Sequence, residues 1–123
     1  SIRAGLDYWP KLEYYTYENY EEFLYRNKGA KIYYATTKAH LKYTDVEYVP
    51  NDFIMFGKES KGIPEEILVE NGPSCIRIPM IGDIRSLNLG NSVAIVLYEA
   101  LRQNDFSELN PVGQLHWLSW KSN

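Results

Sequence analysis

The 123-residue chain is 45% apolar and 24% charged, the balance of a soluble globular domain long enough to bury a core. Its formal net charge of −3 argues against a protein that coats nucleic acid non-specifically, because neutralising phosphates takes clustered Lys and Arg; a local basic patch remains compatible with it. The sequence has no apolar run of about eighteen or more residues to span a membrane, its opening Ser1-Ile2-Arg3-Ala4 has no signal-peptide core, and its lone Cys75 cannot close an internal disulfide, which together fit a cytoplasmic protein.

Residues 17–27 predict a helix: Thr16 is placed to cap its start, Gly29 lies just past its end, and Tyr20, Phe23 and Leu24 form one apolar stripe. Residues 31–35 (KIYYA) predict a short strand, followed by the polar turn Thr36-Thr37-Lys38. Residues 43–50 read as loop with some extended structure. Residues 52–56 (DFIMF) are almost uninterruptedly apolar, as in a strand covered on both faces, and stop at Gly57. Residues 64–69 (PEEILV) predict a short helix with Pro64 in its first turn and two acids near its positive end.

Residues 75–78 (CIRI) predict another strand, closed by Pro79, and residues 80–90 a long loop. A helix follows over residues 91–103, where Val93, Val96, Leu97 and Ala100 share one face. The tail, residues 104–123, carries Leu115, Trp117, Leu118 and Trp120, and is expected to dock as a final helix or to pack across a dimer interface. Eleven tyrosines, concentrated between Tyr8 and Tyr48, suit either helix–sheet packing or an interface, since each joins an apolar ring to a polar tip.

Strands alternating with helices predict an α/β domain with a mainly parallel sheet flanked by helices. Such sheets bind ligands outside the carboxyl ends of their strands. Here those ends are Thr36-Thr37-Lys38, the loop from Gly57 to Gly62, and residues 79–91. Gly57 and Gly62 bracket KESK, which is neither a Walker loop nor GxGxxG. Glu59 within it reads as a general base, a hydrogen-bond acceptor or a solvated acid between two lysines. Ser86 and Asn88 precede the last helix, as caps or as donors at a site. Arg85 reads as a phosphate ligand or a surface charge. His40 and His116 are isolated, so no metal is expected.

The ordered series ATTK (residues 35–38), FGKESKGIP (56–64), IRIPM (76–80) and RSLNLGNSVAIVLYEA (85–100) resembles the SPOUT, or α/β-knot, methyltransferases. Within them, the chain is most similar to the group that 2′-O-methylates the wobble cytidine or uridine of certain leucine tRNAs, a likeness that AGLDYW (4–9) extends. The resemblance implies one domain over residues 1–123 with a C-terminal deep trefoil knot, S-adenosylmethionine as cofactor, tRNA as substrate and a homodimer. It implies cofactor contacts at Ala35, Thr36, Gly57, Gly62, Ile78, Met80, Ser86 and Leu87, with Asn91 following on the helix. Ser86, Asn88 and Glu59 would serve catalysis, and Lys38, Lys61 and Arg85, with Lys58 and His40 beside them, would form an RNA-binding rim. Family members begin with a strand and an Asn-Thr-Gly-type loop bearing an arginine implicated in catalysis. Nothing here matches that loop, so the resemblance implies that this part is missing. Ribosomal RNA is the alternative substrate, and a non-catalytic cofactor- or RNA-binding homologue the alternative role.

Overall fold

The computed structural model describes residues 17–57, 62–80, 88–107 and 109–122. Four short strands, β1 (Ile32–Ala35), β2 (Leu41–Lys42), β3 (Phe53–Phe56) and β4 (Cys75–Arg77), form one sheet in the order β2-β4-β1-β3. Every pairing in it is parallel. Helices α1 (Tyr20–Arg26), α2 (Glu65–Val69) and α3 (Leu89–Gln103) accompany it, as the alternating sequence pattern predicts. The last strand, β4, lies between the first two, so the chain returns to fill a slot it had passed twice.

Side chains of β1 alternate between two cores, because successive residues of a strand point to opposite faces. Ile32 and Tyr34 join Phe23 of α1, Leu68 of α2, Met55, Ile63 and Cys75. Tyr33 joins Ile76, Tyr48 and Val96 of α3 on the other side. Ile76 and Val96 are the most completely buried, and each such side chain contributes about 1.5–3 kcal/mol. Phe23 meets Phe53 edge-on with ring centroids 4.8 Å apart, which holds α1 over the edge of β3.

The buried tyrosines belong to these cores, each with its hydroxyl satisfied. Tyr34 pairs with Tyr20 at 2.7 Å, Tyr33 donates to the Glu47 carbonyl at 2.7 Å, and Tyr48 donates to the Tyr43 carbonyl at 2.6 Å. Burial is the first cause that pushes the Tyr34 and Tyr48 phenols far above their usual range.

Several elements differ from the sequence expectation. Helix α1 is shorter, led in by a 3₁₀ turn over Tyr17–Asn19, and its Leu24 is exposed rather than part of the buried stripe; Thr16, the expected cap, lies outside the described residues. Strand β3 is covered on both faces as expected, Phe53 and Met55 facing one core and Ile54 and Phe56 the other, but it is an edge of the described sheet and less deeply buried than β1, with Met55 alone fully buried. The extended structure expected within residues 43–50 falls earlier, at β2. Helix α3 starts two residues sooner, at Leu89. The tail forms no helix or strand among its described residues, and Trp117 and Trp120 are exposed.

Candidate active site

Because all the pairings are parallel, the carboxyl ends of β1, β3 and β4 lie along one edge of the sheet. The ladder between β1 and β4 continues one residue past β1, where the Thr36 amide donates to the Ile76 carbonyl at 2.9 Å. This brings the first turn against the end of β4. Thr36 then folds the chain back: its hydroxyl accepts from the Lys38 amide at 3.2 Å, and its carbonyl accepts from the Ala39 amide at 3.3 Å. Ala39 is buried, which anchors the turn in the core below.

The second turn closes on itself. A Cβ built on Gly57 would stand 2.3 Å from the carbonyl carbon of Gly62, so the two ends of the loop touch through their backbones. Gly62 has φ +66°, a conformation that glycine adopts without penalty. Ile63, immediately after it, is buried beside Met55 and Leu68 and fixes the neck of the loop.

Lys38 and Glu65 join these two turns. The Lys38 ammonium donates to a Glu65 carboxylate oxygen at 2.8 Å, from the first turn of the chain edge to the first turn of α2. That hydrogen bond, with the lysine charge behind it, holds the Glu65 carboxyl below its usual range. Lys38, expected on the RNA-binding rim, is exposed and paired with Glu65.

At the third end, Ile78 is half-buried against the Tyr33–Ile76–Val96 core, and Met80 is half-buried two residues on. Asn88 caps α3: its side-chain oxygen accepts from the Asn91 amide at 2.8 Å. Of the two readings of Asn88, the capping one is seen directly, and it explains the earlier start of the helix. Asn91 is exposed on the first turn.

The parallel strands therefore place Ala35, Thr36, Gly57 and Ile78 along one sheet edge, with Gly62 against Gly57 and Lys38 two residues beyond Thr36; Met80 follows two residues after Ile78. Glu59, Lys58, Lys61, Arg85, Ser86 and Leu87 lie outside the described residues. His40 and His116 are exposed, and no group of three or more metal-ligating side chains occurs among the described residues. A shallow depression of about 370 Å³ lies at the other end of the sheet, between residues 27–31 and 50–53, away from the three turns.

Arg77 is the residue that sequence reasoning passed over. It ends β4, is half-buried, and stands in register with Lys42 of β2. Inside CIRI it reads as an ordinary polar position of a strand; only the strand order reveals a second cation opposite it.

A family described as the SpoU rRNA methylase family matches residues 1–98. A relative from Listeria innocua, provisionally named a tRNA (cytidine(34)-2′-O)-methyltransferase, is 46% identical over 110 residues, covering 87% of this chain. The chain spans 65% of the length of that relative. A Methylovorus glucosotrophus protein named tRNA (cytidine(34)-2′-O)-methyltransferase is 40% identical over 106 residues, covering 85% of this chain and 69% of its own. Among solved structures, one concerned with the 2-OH methylation of C/U34 on tRNA superposes with a TM-score of 0.69 at 34% identity, over 83% of this chain and 66% of that one. An AdoMet-bound rRNA methyltransferase from Sinorhizobium meliloti superposes with a TM-score of 0.56 at 29% identity, over 67% of this chain and 32% of that one.

Proposed function

The chain belongs to the SpoU rRNA methylase family, and from that premise we propose that it transfers a methyl group from S-adenosylmethionine to the 2′-hydroxyl of the wobble cytidine or uridine of a tRNA. The observation that carries this reading is the meeting of three turns at one sheet edge, in a chain whose relatives bear that activity in their names.

The described residues suit the cofactor. Ala35, Ile78 and Met80 offer small and apolar walls for a flat heterocycle, while Thr36 and the Gly57–Gly62 neck present backbone at close range. When bound, S-adenosylmethionine supplies a methyl group already activated on a sulfonium. The protein's share is to align the ribose hydroxyl with it and to help a proton leave a very weak acid, an effect on the order of 10²–10⁴-fold. Ser86, Leu87 and Glu59 complete the site in this reading, with Ser86 or Glu59 orienting the hydroxyl or its proton acceptor. Asn88 acts by fixing the start of α3, next to Ser86 and Leu87 in the sequence.

The reading extends to architecture and setting. The insertion of β4 between β1 and β2 supports a deep trefoil knot in a single methyltransferase domain. The exposed Trp117, Leu118 and Trp120 support a homodimer. Lys38, Lys61 and Arg85 form the RNA rim, and the enzyme works in the cytoplasm, where its substrate is. None of the helices is long and apolar enough to cross a membrane among the described residues.

Ribosomal RNA is the second reading, favoured by the family's description and by the Sinorhizobium neighbour. Labelled methyl transfer to unmodified total tRNA and to ribosomal RNA, with the labelled nucleotide mapped, separates the two. Label in a 2′-O-methylated wobble pyrimidine is expected. Label in ribosomal RNA alone moves the substrate to the second reading, and label in neither overturns both.

A further inference from the structure

Lys42 and Arg77 stand directly opposite each other on neighbouring parallel strands, in a sheet whose strands run about 4.8 Å apart. Side chains at paired positions leave the sheet on the same face, so two cationic side chains start from neighbouring positions there. Like charges placed this way oppose folding. Lys42 has partial relief, since its ammonium lies 3.5 Å from a carboxylate oxygen of Asp45, whose other oxygen accepts from the Lys42 amide. Arg77 has none: no ion pair or hydrogen bond to its guanidinium occurs among the described residues. Its carbonyl accepts from the Tyr43 amide at 2.8 Å, so its backbone is held in the ladder beside Lys42.

A half-buried, unpaired guanidinium beside a second cation is unfavourable by itself and favourable around an anion. Arg77 is also the last residue of β4, one position before Ile78, so the pair lies at the same sheet edge as the three turns. We propose that Arg77 and Lys42 form a phosphate-binding pair that grips the RNA backbone next to the methyl-transfer site. The planar fork of the arginine suits two oxygens of one phosphate, and the lysine adds a point charge. Asp45 leaves the local balance at one positive charge, enough for one phosphodiester. The inference rests on the proposed RNA substrate and adds to it residues outside the three loops.

The test compares Arg77→Gln and Lys42→Gln with Lys28→Gln, a control at the opposite end of the sheet. Three quantities are read: tRNA affinity as a function of salt, S-adenosylmethionine affinity by calorimetry, and the thermal midpoint. For Arg77→Gln we expect tRNA binding to weaken roughly tenfold, and the slope of log K against log salt to shrink by about 0.7–0.9, the loss of one phosphate contact. Cofactor affinity should stay as it was, and the thermal midpoint should hold or rise, because the variant removes a repulsion. Lys42→Gln should shrink the slope less, and Lys28→Gln not at all.

An unchanged slope in Arg77→Gln overturns the pair while leaving the RNA reading intact. Loss of cofactor affinity with an unchanged slope reassigns Arg77 to the carboxylate of the cofactor and also overturns the proposal. A lowered thermal midpoint shows a structural partner for Arg77 and does the same. A wild-type protein that binds no tRNA at any salt fails at the level of the proposed function, a different result from any of these.

Discussion

Gly57 and Gly62 touch: the place where a side chain would begin on the first is taken by the backbone of the second, 2.3 Å away at the carbonyl carbon and 2.5 Å at the Cα. The loop between them is therefore closed at its neck by two residues without side chains, at the end of β3 and the approach to α2.

The two glycines should fail differently when replaced. Gly57→Ala must force the neck apart, an overpacking cost of about 1–3 kcal/mol, and should abolish S-adenosylmethionine binding. Gly62→Ala meets nothing within 4 Å and is strained only by its φ of +66°, which costs about 1–2 kcal/mol. Gly62→Asn should be milder still, as asparagine tolerates that conformation. Chemical denaturation and calorimetry of cofactor binding check the order; Gly62→Ala proving the worse of the pair would contradict the touching backbones.

Glu65→Gln should release Lys38. The pair is exposed, so stability should not change measurably. Binding of tRNA at low salt should tighten a few-fold, and the gain should vanish in a Lys38→Gln background. An equal gain in both backgrounds would show that Glu65 repels RNA generally and does not mask this lysine. The masking should also persist to acid pH, because the Glu65 carboxyl lies below its usual range and keeps its charge there.

Asn88→Ala removes the cap of α3 and should cost about 1 kcal/mol. Turnover should fall more than cofactor affinity, since Asn88 stands beside the residues proposed for catalysis in the sequence. Ser or Asp at this position caps a helix nearly as well, so Asn88→Ser should restore both stability and turnover. Restored stability without restored turnover would give the amide itself a part in the chemistry.

Near the other end of α3, Glu99 is nearly buried and accepts from the Arg102 guanidinium at 2.8 and 3.0 Å and from the Gln103 amide at 2.8 Å. The Arg102 hydrogen bond is the first cause that holds its carboxyl below the usual 4.5, against the opposing effect of burial. A carboxyl depressed by folding stabilises the protein above its unfolded value and loses that contribution as pH falls through the folded one. Thermal midpoints should thus be flat from neutral pH to about 4.5 as far as this group is concerned, and drop below it. Glu99→Gln should lower the neutral midpoint by a few degrees and flatten the acid limb. Gln103, which also binds the Val46 carbonyl and the Tyr48 amide, ties this network to the loop after β2.

What the sequence made legible follows from where the information is local. Val93, Val96 and Leu97 repeat at helical spacing and are buried as that spacing requires. KIYYA and CIRI are short β-prone runs and lie side by side as β1 and β4. The turns at Thr36 and Gly57 carry their own punctuation. What escaped is tertiary. Strand β2 has two residues and, among the described residues, pairs only with β4, so no pattern in the chain announces it. The start of α3 depends on one side-chain oxygen, and the Arg77–Lys42 pairing on a strand order that residue spacing does not encode. Tyr34 and Tyr48 could have been surface rings by composition alone; their burial comes from α1 and α3 covering opposite faces of the sheet.

The position of β4 constrains the route by which the chain becomes native. Strands β1 and β2 are joined by a short turn and are never neighbours; the gap between them belongs to residues 75–77, which are made some thirty residues later. Early collapse that let β1 and β2 pair with each other would have to be undone before β4 could enter. Contacts of such long sequence separation slow folding. The exposed charge of Lys42 on that edge discourages the premature pairing. Refolding should therefore be limited by the arrival of β4, which completes the sheet between β1 and β2.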